Sequence, residues 1–300
     1  MTITTSSFAK ALWPGVNAWY GKAYDEYPVE WDKLFEKHTS TRAWEEDVGT
    51  SGFGLARVKP EGAAIEYDTE RQGFTTRYVH VVYALGFIVT REIFEDDLYD
   101  IVGQRKAQGL AFSHRQTKEI VGANVYNRAF SSSYVYGDGV ALINSAHPLI
   151  AGGTASNVIG TAADISEAAL EQALIDISGY TNDRGLRIAV KANQLIVPKE
   201  LDFEVDKILK TEYEVGTANN TVNVVRGRFS QGKTMNHYLT DADAWFIRTN
   251  VPHGMKYFER RGDQFDMDND FDTENAKFKA TGRYSFGATD WRGIYGSAGA

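Results

Sequence analysis

No cysteine occurs anywhere in the 300 residues, so neither disulfides nor thiolate metal sites contribute to this protein. That suits a reducing compartment without requiring one. Also missing is any apolar run approaching the roughly 20 residues that cross a bilayer, and Met1 to Lys10 is a polar Ser/Thr stretch without a secretion core. The chain reads as soluble and unexported, with no membrane partner. Basic residues are outnumbered, 32 Lys and Arg against 40 Asp and Glu, for a formal charge of −8. A surface that grips nucleic acid through many phosphates needs concentrated Lys and Arg, so this chain is expected at most to enclose DNA, not to hold it.

The motifs of catalysis are missing as well. No Gly-x-Ser-x-Gly pentapeptide offers a nucleophile elbow, and no Walker loop cradles a phosphate. Gly52-Phe53-Gly54-Leu55-Ala56-Arg57 approaches a dinucleotide loop but ends in Arg where the third glycine belongs, and it leads into a strand pattern. The six histidines, His38, His80, His114, His147, His237 and His253, never fall four apart, the spacing that puts two metal ligands on one helix face. Asp266-Met267-Asp268-Asn269-Asp270 resembles the start of a calcium loop. Phe271 and Lys277 then stand where the loop needs its glycine and its bidentate glutamate. No catalytic, cofactor or metal site is expected.

Hydrophobic residues make up 43% and charged residues 24%, a composition that folds and buries a core. The first fifty residues carry Trp13, Trp19, Tyr20, Tyr24, Tyr27, Trp31, Phe35 and Trp44 with little periodicity, and only Trp31 to Lys37 hints at a short helix. Such aromatics need a surface, either the parent domain or a neighbouring copy. From Phe53 to Thr90 the pattern is β. Phe53 to Val58 and Ala63 to Tyr67 are short runs, and Val79, Val81, Tyr83, Leu85, Phe87 and Val89 form one face of a long strand, which together read as an extended hairpin. Residues 91–128 switch to helical spacing, with Phe94, Leu98, Ile101, Val102, Phe112, Ile120 and Ala123 as the apolar stripe and with Gly103, Gly109 and Gly122 as points of weakness.

Residues 151–163 are rich in Gly, Ala, Ser and Thr and mark a boundary. Ser166 or Asp164 then caps a helix through Tyr180, Gln194 to Val197 is a strand stopped by Pro198, and Leu201, Val205, Ile208 and Leu209 mark another helix. From His253 the pattern returns to β, with Asp266, Asp268, Asp270 and Asp272 on one strand face. There is no internal repeat.

The run Ala141-Leu142-Ile143-Asn144-Ser145-Ala146-His147-Pro148, then Gly152-Gly153, Ser156-Asn157, the helix at Ser166 and Leu195-Ile196-Val197-Pro198, resembles the Mu-like major head subunit group of tailed-phage capsid proteins. Tyr99-Asp100 and Trp245 extend the likeness, and Lys199 departs from it where members often carry a second proline. The resemblance implies an α+β chain of the Hong Kong 97 type: an N-terminal arm (1–52), an extended β-hairpin or E-loop (53–90), a peripheral domain with a long spine helix (91–149), an axial αβ domain (150–250) and return strands of the peripheral domain (251–300).

It also implies a structural role, the major capsid protein of a virion, built in the host cytoplasm from hexamers and pentamers of itself around double-stranded DNA. The partners implied are a portal, a decoration protein and a scaffolding protein made separately, since no N-terminal helical scaffolding segment is read here. An encapsulin-like nanocompartment and a tail or baseplate protein are the structural alternatives, and a hydrolase or transferase is the alternative of another class. Interface candidates are Tyr67, Arg71, Phe74 and Tyr78 on the hairpin, Trp13 and Trp19 on the arm, and the acidic row Asp266, Asp268, Asp270 and Asp272.

Overall fold

A computed structural model describes residues 9–26, 28–95, 99–214, 221–270 and 274–300. In chain order the elements are α1 (Ala9–Glu26), β1 (Glu36–Thr39), β2 (Trp44–Thr50), β3 (Gln72–Val79), β4 (Val81–Val89), α2 (Arg91–Glu95), α3 (Tyr99–Asn127), β5 (His147–Pro148), β6 (Thr154–Ala155), α4 (Glu167–Ser178), β7 (Ala192–Val197), α5 (Asp202–Lys210), β8 (Lys233–Met235), β9 (Trp245–Thr249), β10 (Met255–Asn269), β11 (Ala276–Ala288) and β12 (Ile294–Ser297). Two four-stranded sheets, ordered β1-β10-β11-β4 and β12-β9-β7-β8, organise the chain. The first carries α3 along one face. The second is covered by α4 and α5, whose Leu170, Ala173, Ile177, Val205 and Ile208 form one core with Leu195, Trp245 and Ile247.

The long helix α3 spans 29 residues, about 43 Å at 1.5 Å per residue, and its glycines do not break it. Its inward face differs from the expected stripe. Phe112 and Ile120 are exposed, while Ala107, Ala111, His114, Arg115, Lys118, Glu119, Ala123 and Tyr126 are buried. Small residues let the sheet approach closely: a Cβ on Gly122 would sit 3.3 Å from both Phe286 and the Trp31 Cβ. The buried charges are held by partners, which a count of apolar residues does not see.

The N-terminal segment, read as an arm with a helix hinted only at Trp31 to Lys37, forms the 18-residue helix α1, which lies on α3 and β10 through Tyr20, Ala23 and Phe265, while the hinted helix is a single 3-10 turn at Trp31–Lys33 before β1. The expected long strand is divided at His80. Its first part, β3, pairs with β2 from the segment assigned to the arm, and its second part, β4, pairs with β11 in the first sheet. Residues 53–58 and 63–67 are not strands; together they lie in the loop 51–71 that tips the β2–β3 ribbon. The final strand β12 pairs with β9, so it joins the second sheet and not the first. In α4, Ser166 accepts a hydrogen bond from the Ala169 N–H at 3.2 Å, as an N-cap should.

Candidate assembly surfaces

The β2–β3 ribbon and its loop carry much of the exposed apolar surface. Trp44, Val48, Phe53, Leu55, Val58, Ile65, Tyr67 and Phe74 are all exposed, Val58 to 95% and Tyr67 to 89%. A two-stranded ribbon is only marginally stable alone, and this one is steadied at two points. Its loop is closed where Ser51 and Arg71 exchange hydrogen bonds at 3.0 Å. Farther out, the Asp68 carboxylate accepts from the Gly54 N–H (2.7 Å) and from Arg184 Nη1 in the turn that follows α4 (2.5 Å). The Gly54 N–H, then Arg184 and the Thr69 N–H, lower the Asp68 pKa to about 2.

Of the hairpin candidates, Tyr67, Arg71 and Phe74 face solvent, but Tyr78 does not. It is 3% exposed, packs on Phe258 and shares a 2.6 Å hydrogen bond with Thr289 Oγ1. Tyr78 therefore fastens the base of the ribbon inside its own subunit, because Thr289 also donates to Asp47 of β2, which pairs with the buried Lys256. At the strand break, His80 is buried between the hydroxyls of Ser285 (3.0 Å) and Ser40 (3.1 Å), and its carbonyl accepts from Arg283 Nε. Burial first, and Arg283 next, lower its pKa.

The acidic row faces outward on β10 at Asp266 and Asp268, Asp270 follows just past the strand end and is partly buried, and Asp272 lies outside the described residues. It is not left to repel itself. Antiparallel pairing sets Lys279 opposite Asp266 and Lys277 opposite Asp268, and Lys277 Nζ reaches Asp270 at 2.5 Å. The signal was in the sequence: Lys277 and Lys279 alternate as the acids do, on the strand that returns beside them. On the next strand the same face continues with Val82, Ala84, Gly86 and Ile88, three rows running acidic, basic and apolar.

On the other face of the sheet, α1 covers an ionic cluster that sequence spacing could not assemble. Asp263 accepts from Tyr24 and lies 3.6 Å from His114 Nδ1 and 4.0 Å from Lys118 Nζ. The register of β10 against β11 slips on either side of Arg261, which helps aim Asp263 inward. A Cβ on the opposing Gly282 would overlap its carboxylate. Burial works to raise the Asp263 pKa, but hydrogen bonds from His114 and Tyr24 with the Lys118 charge hold it below its usual value. Lys118 also lies 4.8 to 5.2 Å from the rings of Trp31, Tyr257 and Tyr284, and burial lowers its pKa. The next residue, Glu119, accepts from the N–H groups of Glu30 and Trp31 at 3.0 and 2.8 Å, tying the N-terminal segment to α3. Trp19 is half-buried against the apolar core of Tyr20, Ala23 and Phe265; the side chain of Trp13 lies outside the described residues.

The His-Pro and Ser-Asn motifs meet in the interior. His147, fully buried, has Nδ1 2.6 Å from Asp138 and Nε2 3.0 Å from Asn157 Oδ1, and its ring stacks on Trp291 at 4.7 Å. Asn157 donates to the carbonyls of Leu142, Trp291 and Ile294. This hub ties the Asp138–His147 segment to the Trp291 turn and to β12. Among the described residues no group of His, Asp and Glu could hold a metal ion, and no helix is long and apolar enough to cross a membrane.

A family model described as "Phage capsid protein" matches residues 73–297. Solved structures align over nearly the whole chain. The capsid of a native GTA particle superposes with a TM-score of 0.55 at 12% identity, covering 89% of this chain and 89% of that one. A chain from the procapsid of bacteriophage JBD30 gives 0.53 at 14% identity, covering 98% and 76%, and one from Microbacterium phage Oxtober96 gives 0.52 at 11%, covering 91% and 93%. No curated protein matches the sequence. The fold is thus the Hong Kong 97 type, a class of shell-forming structural subunits. The chain belongs to the phage capsid protein family and is a shell-forming major capsid protein of the virion, a structural role.

Proposed function

We propose that copies of this chain close into an icosahedral shell of hexamers and pentamers, assembled in the host cytoplasm around double-stranded phage DNA. The exposed apolar surface of the β2–β3 ribbon and loop 51–71 supports this reading most directly, because a lone soluble subunit rarely presents so much in one element. A neighbouring copy is the natural cover. Tyr67, Arg71 and Phe74 are the ribbon residues proposed to meet it. The Asp266–Asp270 row, matched by its own lysines, is proposed as the rim of such contacts.

DNA is held by enclosure, in keeping with the charge of −8. A scaffolding protein, a portal and a decoration protein complete the particle. The hub at His147 and Asn157 gives the Mu-like motif a structural purpose and favours that group. Electron microscopy of the purified, concentrated protein tests the reading: closed hollow shells are expected, whereas tubes, rings or a persistent monomer would each overturn it.

A further inference from the structure

Strand β4 stands at the edge of the first sheet with β11 as its only partner among the described residues. Its nine residues, Val-Val-Tyr-Ala-Leu-Gly-Phe-Ile-Val, include no charge, and Val81, Val82, Leu85 and Ile88 are each about half exposed. A long apolar edge of this kind is a template for pairing, and soluble proteins ordinarily guard it. The guard here is partial. Lys106 Nζ donates to the Ile88 carbonyl at 3.2 Å, at one end of the strand, and among the described residues no strand pairs with the outer edge of 81–87.

We propose that β4 is a two-fold contact between copies of this chain, pairing antiparallel with β4 of a second copy about Leu85 and joining two four-stranded sheets into one. This rests on the shell reading and names one of its interfaces. The occupant is a second copy for three reasons. The proposed shell is built from copies of this chain, so each subunit meets others of its kind. A two-fold contact must be self-complementary, and an uncharged strand meets itself without like-charge repulsion.

The third reason is aromatic. About Leu85 the register sets Tyr83 opposite the second copy's Phe87. Within one chain Tyr83 stacks on Tyr284 at 4.7 Å and Phe87 on Phe278 at 4.9 Å. Pairing would connect these two stacks across the boundary on the sheet face that carries α3. On the opposite face the rows would then run acidic, basic, apolar, apolar, basic, acidic, which buries the apolar rows at the centre.

The cysteine-free sequence gives a direct test. Directly opposed residues of an antiparallel pair have Cα atoms about 4.5 to 5.5 Å apart, within disulfide reach. Leu85→Cys faces itself only at a two-fold axis, so most of the oxidised protein should run as a dimer on a non-reducing gel. In the double variant Val82→Cys with Ile88→Cys each thiol faces the other's position in the second copy. Within one chain the two lie about 20 Å apart along the strand, too far to bridge. Phe203→Cys, exposed on α5 and outside both proposed contact surfaces, is the control and should stay monomeric.

Dimers of either β4 variant with a silent control support the proposal. Shells in which neither variant crosslinks overturn it and leave the shell reading standing. Crosslinked β4 dimers from a chain that never forms shells support the contact and overturn the shell reading.

Discussion

Asn157 Oδ1 accepts from both the His147 ring and the Asn144 N–H, at 3.0 and 2.8 Å, while its amide nitrogen feeds three backbone carbonyls. One fully buried side chain thereby satisfies groups from the Asn144–His147 turn, from the Trp291 turn and from β12. Asn157→Ala should cost about 3 kcal/mol or more, because several buried polar groups lose their partner at once. Asn157→Asp should do no better, since it sets a carboxylate against three carbonyl oxygens. Urea unfolding of both variants measures the loss.

His80 gives the acid limb of stability a defined origin. Its folded pKa is lowered, by burial first and then by Arg283, with Arg260 adding to this and Glu45 opposing it. Above its unfolded value of about 6.5 the ring is neutral in both states, and its contribution is intact. As pH falls from there through the lower folded value, the unfolded chain takes up the proton first and stability declines. His80→Gln should flatten the stability profile between about pH 7 and 5. An unchanged slope in thermal melts across that range would contradict the assignment.

The two charge rows are expected to behave as a unit. Replacing Asp266 and Asp268 with Asn removes the acids opposite Lys279 and Lys277 and leaves Lys277 its bond to Asp270, which should alter the salt dependence of assembly, since surface charges act through a screened field. Adding Lys277→Gln and Lys279→Gln should return that dependence toward the parent. Light scattering of assembly at low and high salt separates the cases. A quadruple variant no closer to the parent than the Asp266, Asp268 double would show that the rows act independently.

Much of this architecture was legible because it rests on local periodicity: the helix capped by Ser166, the strand before Pro198, the long helix and the acidic strand face. What escaped depended on distant partners. The inward face of α3 was misread because His114, Arg115, Lys118 and Glu119 are buried by pairing with Asp263, with aromatic rings and with the N–H groups of Glu30 and Trp31. Helix α1 was missed because its aromatics show no clear stripe, and its docking depends on a β10 surface drawn from the far end of the sequence. The division at His80 was hidden by unbroken β alternation: pattern alone does not say when a strand changes partners.

The ribbon loop decides whether assembly and folding are separable. Loop 51–71 contributes no strand, is exposed almost throughout, and is closed at its base by the Ser51–Arg71 pair. Replacing residues 53–69 with a short Gly-Ser linker keeps that closure, because loop length itself costs little free energy. The core under β2 and β3 is also kept, since Tyr78, Thr289, Asp47 and Lys256 all lie outside the deletion. The subunit should therefore still melt cooperatively, within a few degrees of the parent. It should no longer form shells, because Phe53, Leu55, Val58, Ile65 and Tyr67 leave together, and with them the apolar surface proposed to lie on a neighbour. Calorimetry and electron microscopy of one preparation read both halves. A non-cooperative melt would place the loop in the subunit's own core, and intact shells would move the main contact elsewhere, to the β4 edge first.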